Sequence, residues 1–165
     1  MSRSVDEIKF KPIGVIHSPF KEPRGTPIQP TAGKGVRGVI EVFPEYVEGL
    51  KDLEGFSHII LLYYFHLSRK TELRVKPFMD NKLRGVFSTR APNRPNPIGV
   101  SVVRLLRVEG NRVHIQGLDI VDGTPLLDIK PYVPEFDMRK AEKVGWLEKN
   151  LGKLEKTRDD GRFVG

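Results

Sequence analysis

The chain has 165 residues, 38% of them hydrophobic and 30% charged, with a formal net charge of +7 and no cysteine. This balance is typical of one soluble globular domain with a sizeable core, and the lack of cysteine excludes disulfides and thiolate metal sites. The longest apolar run, at 59–65, is far shorter than the roughly 20 residues that span a bilayer, and the polar N-terminus lacks a signal-peptide pattern, so we expect a cytoplasmic protein without a membrane anchor.

Short strands separated by turn residues follow one another along most of the chain. Alternating apolar and polar residues, or short apolar runs, predict strands at 8–16, 36–43, 57–65, 72–76, 83–88, 100–108, 112–118 and 125–132. Pro12 interrupts the first strand, a long loop rich in Pro and Gly occupies 18–35, and Pro44 opens a short helix at 44–53. Strands at such short intervals, with few helices between them, predict a mainly β fold in the form of a small single-domain β-barrel.

Residues 138–156 follow a different pattern. Val144, Leu147, Leu151 and Leu154 recur at steps of three and four residues with Lys and Glu between them, which predicts an amphipathic helix of about four turns. We expect this helix, together with Trp146, to pack on the barrel or on a second subunit. The predicted organisation is therefore a β-barrel domain at 8–136 and a C-terminal helical extension at 137–165.

Positive charge is concentrated in the segment 69–107. It contains ten Lys or Arg and two acidic residues, a net charge of +8, whereas the rest of the chain sums to −1. A basic block of this kind is typical of a phosphate-binding face, and we predict RNA contacts at Lys76, Arg84 and Arg94. A lysine-rich surface of a thermally robust protein, with no polyanion partner, is the alternative.

The loop at 87–101 carries the densest chemical signal. Three prolines restrict its backbone, and two arginines, Arg90 and Arg94, are mounted on it with two asparagines. Because the planar guanidinium suits carboxylate or phosphate, a stiff loop of this composition predicts a preorganised polar ligand site. The alternative is an ordinary proline-rich crossover loop whose arginines are solvated.

A second signal lies at 117–132, where three carboxylates surround the turn Asp-Gly-Thr-Pro at 122–125. Asp119 and Asp122 are candidate catalytic bases, although Asp122 could instead cap the turn. For Asp128 a salt bridge with Lys130 is the preferred interpretation.

The four histidines do not have the spacing of a metal site, so we expect no metal. His66 follows a buried strand and should lie at the rim of the barrel, where sites are often built, although a structural hydrogen bond is the more common role. The phosphate-binding and dinucleotide-binding glycine motifs are absent, which excludes a P-loop enzyme and a methyltransferase of the Rossmann type.

Several of these motifs together resemble the TrmO family, also called TsaA-like or YaeB-like. They are Ile-Gly-Val-Ile-His-Ser-Pro-Phe at 13–20, Pro-Ile-Gln-Pro at 27–30, Gly-Phe-Ser-His at 55–58, Asn-Arg-Pro-Asn-Pro-Ile-Gly at 93–99 and Asp-Gly-Thr-Pro at 122–125. The resemblance implies a homodimeric β-barrel methyltransferase with S-adenosylmethionine as methyl donor. It also implies a substrate, the N6 position of threonylcarbamoyl-adenosine next to the anticodon in tRNA. Bacterial members carry an additional C-terminal region beyond the point where this chain's predicted helix ends.

The resemblance also implies which residues bind the cofactor, and they come from four parts of the chain: Gln29, Pro30, His66, Leu67, Arg90, Leu118 and Asp119. The general base would be Asp119 or Asp122, with His66 as the second candidate. Arg90 would hold the carboxylate of either the cofactor's methionine or the threonyl group.

Three other functions compete with tRNA methylation. A non-catalytic RNA-binding barrel would explain the charge but not a cofactor pocket. A methyltransferase acting on another small substrate would make the basic segment incidental. A hydrolase using Asp119 and Asp122 as a paired acid and base has no positive signature in the sequence.

Overall fold

The computed structural model describes residues 6–164, except for the side chain of Pro30. It contains eight strands: β1 (Gly14–His17), β2 (Arg37–Val42), β3 (His58–Tyr64), β4 (Arg74–Val75), β5 (Arg84–Gly85), β6 (Ile98–Glu109), β7 (Arg112–Gln116) and β8 (Thr124–Pro131). Six of them close an antiparallel barrel in the order β1-β2-β7-β6-β3-β8, and β4 pairs with β5 in a separate two-stranded sheet. The predicted β-barrel is confirmed.

Side chains point alternately into and out of the barrel along its strands, and the inward ones fill its interior. On β6, Ser101, Val103 and Leu105 point inward and are buried, while Val100 and Val102, at the alternate positions, are exposed. The core consists of inward aliphatic residues from all six strands and from the segment between β7 and β8: Ile16, Ile40, Val42, Ile59, Leu61, Val103, Leu105, Val113, Ile115, Leu118, Ile120 and Leu126.

Most element boundaries agree with the sequence, and the differences have local causes. The first strand begins at Gly14 rather than at residue 8, because Pro12 has no N–H for a ladder and Ile8 and Phe10 are exposed. The predicted hairpin forms between β6 and β7 through a two-residue turn at Gly110 and Asn111. The short helix after β2 is a 3-10 helix, Pro44–Leu50.

The predicted four-turn helix at 138–156 is wrong. In this segment the chain forms only two single 3-10 turns, Gly145–Leu147 and Leu151–Lys153, and the one α-helix of the described residues is α1 (Pro134–Asp137). Gly145 interrupts any helix because its φ of +59° lies in the left-handed region. The steps of three in the apolar pattern fit 3-10 turns as well as an α-helix, and the pattern reflects contact with the rest of the chain.

The C-terminal segment 139–164, called the tail below, folds back onto the body of the protein. The N–H of Gly25 donates to the carbonyl of Asp159 at 2.7 Å, and the N–H of Asp159 donates to that of Thr26 at 2.9 Å. At the other side Phe163 packs edge-to-face on Phe78, with 5.2 Å between ring centroids. Among residues 6–164 there is no helix with the length and apolarity needed to cross a membrane.

Candidate functional site

A pocket of about 880 Å³ opens at one mouth of the barrel. Its walls come from the loop at 23–31, the segment after β3, the loop at 77–94, the start of β6, the segment at 119–124 and the tail. The volume lies within the range of small-molecule sites. Apolar walls with a few polar side chains are what an organic ligand of moderate size needs.

Three side chains form a hydrogen-bonded chain at the inner end of this pocket. Tyr63 and Ser101 extend inward from the adjacent strands β3 and β6, and their oxygen atoms are 2.8 Å apart. Ser101 Oγ donates to Asp119 Oδ1 at 2.7 Å. Because Ser101 gives its proton to the carboxylate, Tyr63 is the donor in the first hydrogen bond.

Burial sets the protonation of this group. Loss of hydration raises the pKa of Asp119 to about 7, although the hydrogen bond from Ser101 and the charge of Arg90 oppose the rise. Burial, followed by the charge of Asp119, raises the pKa of Tyr63 well above its usual value, so the phenol remains protonated. Asp119 can therefore take up or release a proton near neutral pH, as a general base requires.

Arg90 and Gln29 meet at the outer part of the pocket. Arg90 Nη1 donates to Gln29 Oε1 at 2.8 Å, which joins the loop at 87–101 to the loop after β1. The Arg90 side chain is exposed and has no carboxylate within ion-pair distance among the described residues. Its remaining donors can therefore bind an anionic group of a ligand.

The loop that carries Arg90 is braced by its own side chains. Arg94 Nη1 donates to the carbonyls of Thr89 and Ala91 at 2.9 and 3.1 Å. Asn93 is buried and accepts a hydrogen bond from Ser68 at 2.9 Å. Arg94 is a predicted RNA contact, but it uses hydrogen-bond donors within its own loop. These bonds fix the position of Arg90.

The segment that follows Gln29 packs closely against Leu118, the residue before Asp119. A Cβ atom at Gly33 would lie 2.0 Å from the carbonyl oxygen of Leu118, so only glycine permits this approach. Leu118 itself is fully buried in the barrel core, and its side chain does not line the pocket. Of the other predicted cofactor contacts, His66 and Leu67 line the pocket, and the side chain of Pro30 lies outside the described residues.

His66 is the second candidate base. Burial lowers the pKa of its imidazole below the usual 6.5, so the ring is neutral at neutral pH and can accept a proton.

Asp122 lies outside the pocket, in the segment between β7 and β8, and its carboxylate contacts the loop that follows β1. It accepts the N–H of Ser18 at 2.9 Å and pairs with Lys21 at 2.9 Å. The hydrogen bond from Lys21 is the main cause of the lowered pKa of Asp122. The carboxylate binds the loop after β1 rather than its own turn, so this position supports neither the alternative role of a turn cap nor the predicted role of a base. Asp128 forms the expected ion pair with Lys130, at 2.9 Å.

The two predicted RNA contacts outside the loop at 87–101, Arg84 and Lys76, differ in whether their charge is already paired. Arg84 pairs with Asp80 at 2.8 Å, and its guanidinium lies 5.6 Å from the centre of the Trp146 ring, so its charge is already partnered. Lys76 is exposed and forms no ion pair among residues 6–164. It is the better placed of the two for contact with phosphate.

Sequence reasoning missed Tyr63 and Ser101 as site residues and placed Trp146 in a helix. Ser101 could have been noticed as a polar residue at an inward position of an apolar strand. Tyr63 could not, because the strand register that brings it beside Ser101 is not visible in the sequence. The described residues contain no group of three or more His, Asp or Glu side chains suited to a metal ion.

The fold and the pocket define a class: a small closed antiparallel barrel with a polar-ended ligand pocket at one mouth. The sequence profile of the tRNA-methyltransferase O N-terminal domain matches residues 15–138. The chain belongs to that family, and the resemblance to TrmO is confirmed.

Individual relatives agree with this assignment. A "Probable S-adenosyl-L-methionine-binding protein" of Pyrococcus abyssi is 63% identical over 156 residues, which cover 94% of this chain and 85% of that protein. The human "tRNA (adenine(37)-N6)-methyltransferase" is 38% identical over 134 residues, 77% of this chain and 30% of that protein. Crystalline TrmO from Pseudomonas aeruginosa superposes with a TM-score of 0.72 at 41% identity, over 86% of this chain and 63% of that one. This chain therefore spans less than two thirds of the solved TrmO chain.

Proposed function

We propose that the protein is an S-adenosylmethionine-dependent methyltransferase that modifies N6 of an adenosine in tRNA. The names of the relatives support the donor, the tRNA and the N6 position. The structural observation that carries the proposal is the placement of Arg90 and Asp119 on one pocket, a carboxylate-binding group outside and a near-neutral acid inside.

The residues of the pocket fit the proposed methyl donor. Arg90 and Gln29 offer donors and an acceptor for an amino-acid group, and His66 and Leu67 line the same pocket. When bound, S-adenosylmethionine supplies an electrophilic methyl group.

The chemical role proposed for the chain is to position the reactants and accept one proton. An adenine N6 amine is a weak nucleophile that loses a proton as its new N–C bond forms. The carboxylate of Asp119 takes up that proton, and Ser101 holds the carboxylate in one orientation through its 2.7 Å hydrogen bond. Alignment of the reacting atoms accounts for much of the rate.

The proposed substrate is threonylcarbamoyl-adenosine next to the anticodon. Its threonyl carboxylate suits the Arg90 guanidinium, and so does the methionine carboxylate of the donor. A base in the anticodon loop can be splayed out of the stack to enter a pocket of this size.

We further propose a cytoplasmic homodimer. Apolar side chains are exposed side by side on the outer faces of β3 and β6, with Tyr64 opposite Ile98 in the register and both at about 40% exposure. An exposed apolar patch of this kind marks an interaction surface. In light scattering we expect twice the chain mass for the wild type and the chain mass for Tyr64→Lys, whereas a monomeric wild type would contradict the dimer.

Two measurements test the methyltransferase. Calorimetry should show binding of S-adenosylmethionine by the protein alone, and labelled methyl groups should reach tRNA that carries the threonylcarbamoyl group faster than tRNA that lacks it. Equal rates on both tRNAs would contradict the proposed substrate. Binding of tRNA without binding of the donor would favour a non-catalytic RNA-binding barrel.

A further inference from the structure

Part of the pocket wall comes from outside the domain that defines the family. Trp146, Leu147, Leu151 and Leu154 line the pocket, and all four lie beyond residue 138, where the family match ends. The residues assigned above to the methyl donor lie within that match. The tail therefore adds an apolar wall to the pocket, separate from the residues assigned to the methyl donor.

Trp146 is held in a defined orientation in this wall. Its indole Nε1–H donates to the carbonyl of Ser88 at 2.9 Å. The Arg84 guanidinium lies 5.6 Å from the ring centre, within the distance of a cation–π contact. An indole fixed by a hydrogen bond and a cation offers its remaining surface to the pocket at little further cost in conformational entropy.

The tail reaches both loops that carry the polar site residues. Asp159 is hydrogen-bonded to Gly25 and Thr26 in the loop that leads to Gln29. Trp146 is hydrogen-bonded to Ser88, two residues before Arg90. Next to Ser88, Phe87 is 77% exposed, which is unusual for so large an apolar side chain.

We propose that the tail forms a subsite for the unpaired purine base of an RNA substrate, in which Trp146 stacks on the base and Phe87 supports it. This inference rests on the proposed function and assigns the tail to the substrate rather than to the methyl donor. Stacking on aromatic side chains is the usual way in which proteins hold splayed-out bases. The exposed Lys76, which directly follows β4, supplies positive charge for the RNA backbone.

The chain offers a direct probe, because Trp146 is its only tryptophan. We would titrate the protein with an anticodon stem-loop RNA that carries threonylcarbamoyl-adenosine, and separately with S-adenosylmethionine, while recording indole fluorescence. The subsite predicts strong quenching by the RNA and little change with the donor. Quenching by the donor alone would overturn the assignment.

Variants test the same point without relying on fluorescence. Trp146→Ala should weaken RNA binding about tenfold, the size expected for the loss of one stacked base, with S-adenosylmethionine affinity within twofold of wild type. Trp146→Phe should recover most of the RNA affinity, since it keeps an aromatic face. Val144→Ala is the matched control, because Val144 is an exposed apolar residue of the tail that does not line the pocket.

The results of these experiments distinguish failure of the proposed RNA subsite from failure of the proposed methyltransferase activity. If the wild type methylates tRNA and Trp146→Ala has the same KM for tRNA, the subsite is wrong while the proposed function stands. If Trp146→Ala loses donor affinity in parallel with RNA affinity, or if Val144→Ala weakens RNA binding equally, the subsite is again wrong. If the wild type transfers no methyl group but the RNA still quenches Trp146, the proposed function fails and the RNA subsite stands.

Discussion

Ser101 donates a 2.7 Å hydrogen bond to the carboxylate of Asp119 at the inner end of the pocket. The serine comes from strand β6 and the acid from the segment after β7, so the bond joins the barrel wall to the chain that crosses its mouth. Tyr63 supports Ser101 from the neighbouring strand. A carboxylate whose burial raises its pKa to about 7 is thus held at one point facing the pocket.

Exchange of Asp119 for Asn should abolish the proposed proton transfer. We expect Asp119→Asn to lower kcat for tRNA methylation at least a hundredfold, in line with the usual contribution of a general base. Asp122→Asn, three residues away but directed at Ser18 and Lys21, should lower it less than threefold. Steady-state kinetics on both variants decide the point, and equal losses would return Asp122 to the catalytic group.

The pH dependence of the reaction should report the same acid. A base must be deprotonated, so kcat/KM should rise with pH and level off above about 7, the pKa of Asp119. Ser101→Ala removes a hydrogen bond that favours the charged form, and the midpoint should move upward by roughly one pH unit. An unmoved midpoint in Ser101→Ala would separate the titrating group from Asp119.

Asp119 should also affect stability. Its pKa is about 7 in the folded protein and near 3.8 in the unfolded chain, so between these values the folded state binds the extra proton. The contribution of Asp119 to the free energy of unfolding should therefore fall as pH rises from about 4 to 7, by at most about 4 kcal/mol. Asp119→Asn should gain stability relative to wild type across that window, measured by urea unfolding at several pH values. A constant difference would contradict the buried, protonated state.

Arg90 tests the anionic end of the pocket. Arg90→Ala should reduce methylation at least tenfold, and Arg90→Lys should recover it only in part, because an ammonium cannot form the bidentate pair. If the loss appears in the dissociation constant for S-adenosylmethionine, Arg90 holds the donor's carboxylate. If it appears in KM for threonylcarbamoyl tRNA alone, Arg90 holds the threonyl group. Arg37→Ala, an exposed arginine of β2 outside both the pocket and the basic segment 69–107, is the control.

Salt should weaken tRNA binding steeply, since the segment 69–107 carries a net charge of +8. Lys76→Ala should lower the slope of log affinity against log salt by about one, the value for one phosphate contact. Arg84→Ala should change the slope less, because Asp80 already neutralises that arginine. Filter binding at several salt concentrations measures both slopes, and a flat wild-type response would remove this face from the RNA interface.

The strands could be predicted because some of them alternate between apolar and polar residues, as β2 does in part, and others are short apolar runs, as β3 is. The tail could not, since apolar residues spaced by three fit both helix types. Its path is decided by contacts such as that of Asp159 with Gly25, which are distant in sequence. Gly145 is the local sign that a continuous helix was unfavourable.

The candidate site could be predicted only in part, because it too depends on contacts between residues that are distant in sequence. Motif patterns identified Arg90 and Asp119, and both lie on the pocket. They could not distinguish Asp119 from Asp122, because that difference depends on which way each side chain leaves the loop. They also could not identify Ser101, whose role arises from a hydrogen bond to a residue beyond the next strand.

Mass spectrometry of tRNA nucleosides tests the proposed enzyme most directly. The protein would be incubated with threonylcarbamoyl tRNA and S-adenosylmethionine labelled in its methyl group, with Asp119→Asn in parallel. We predict a labelled methyl group on N6 of the modified adenosine in the wild-type reaction and almost none with the variant. A wild-type reaction without labelled nucleoside, or with the label on another atom, would contradict the proposed function.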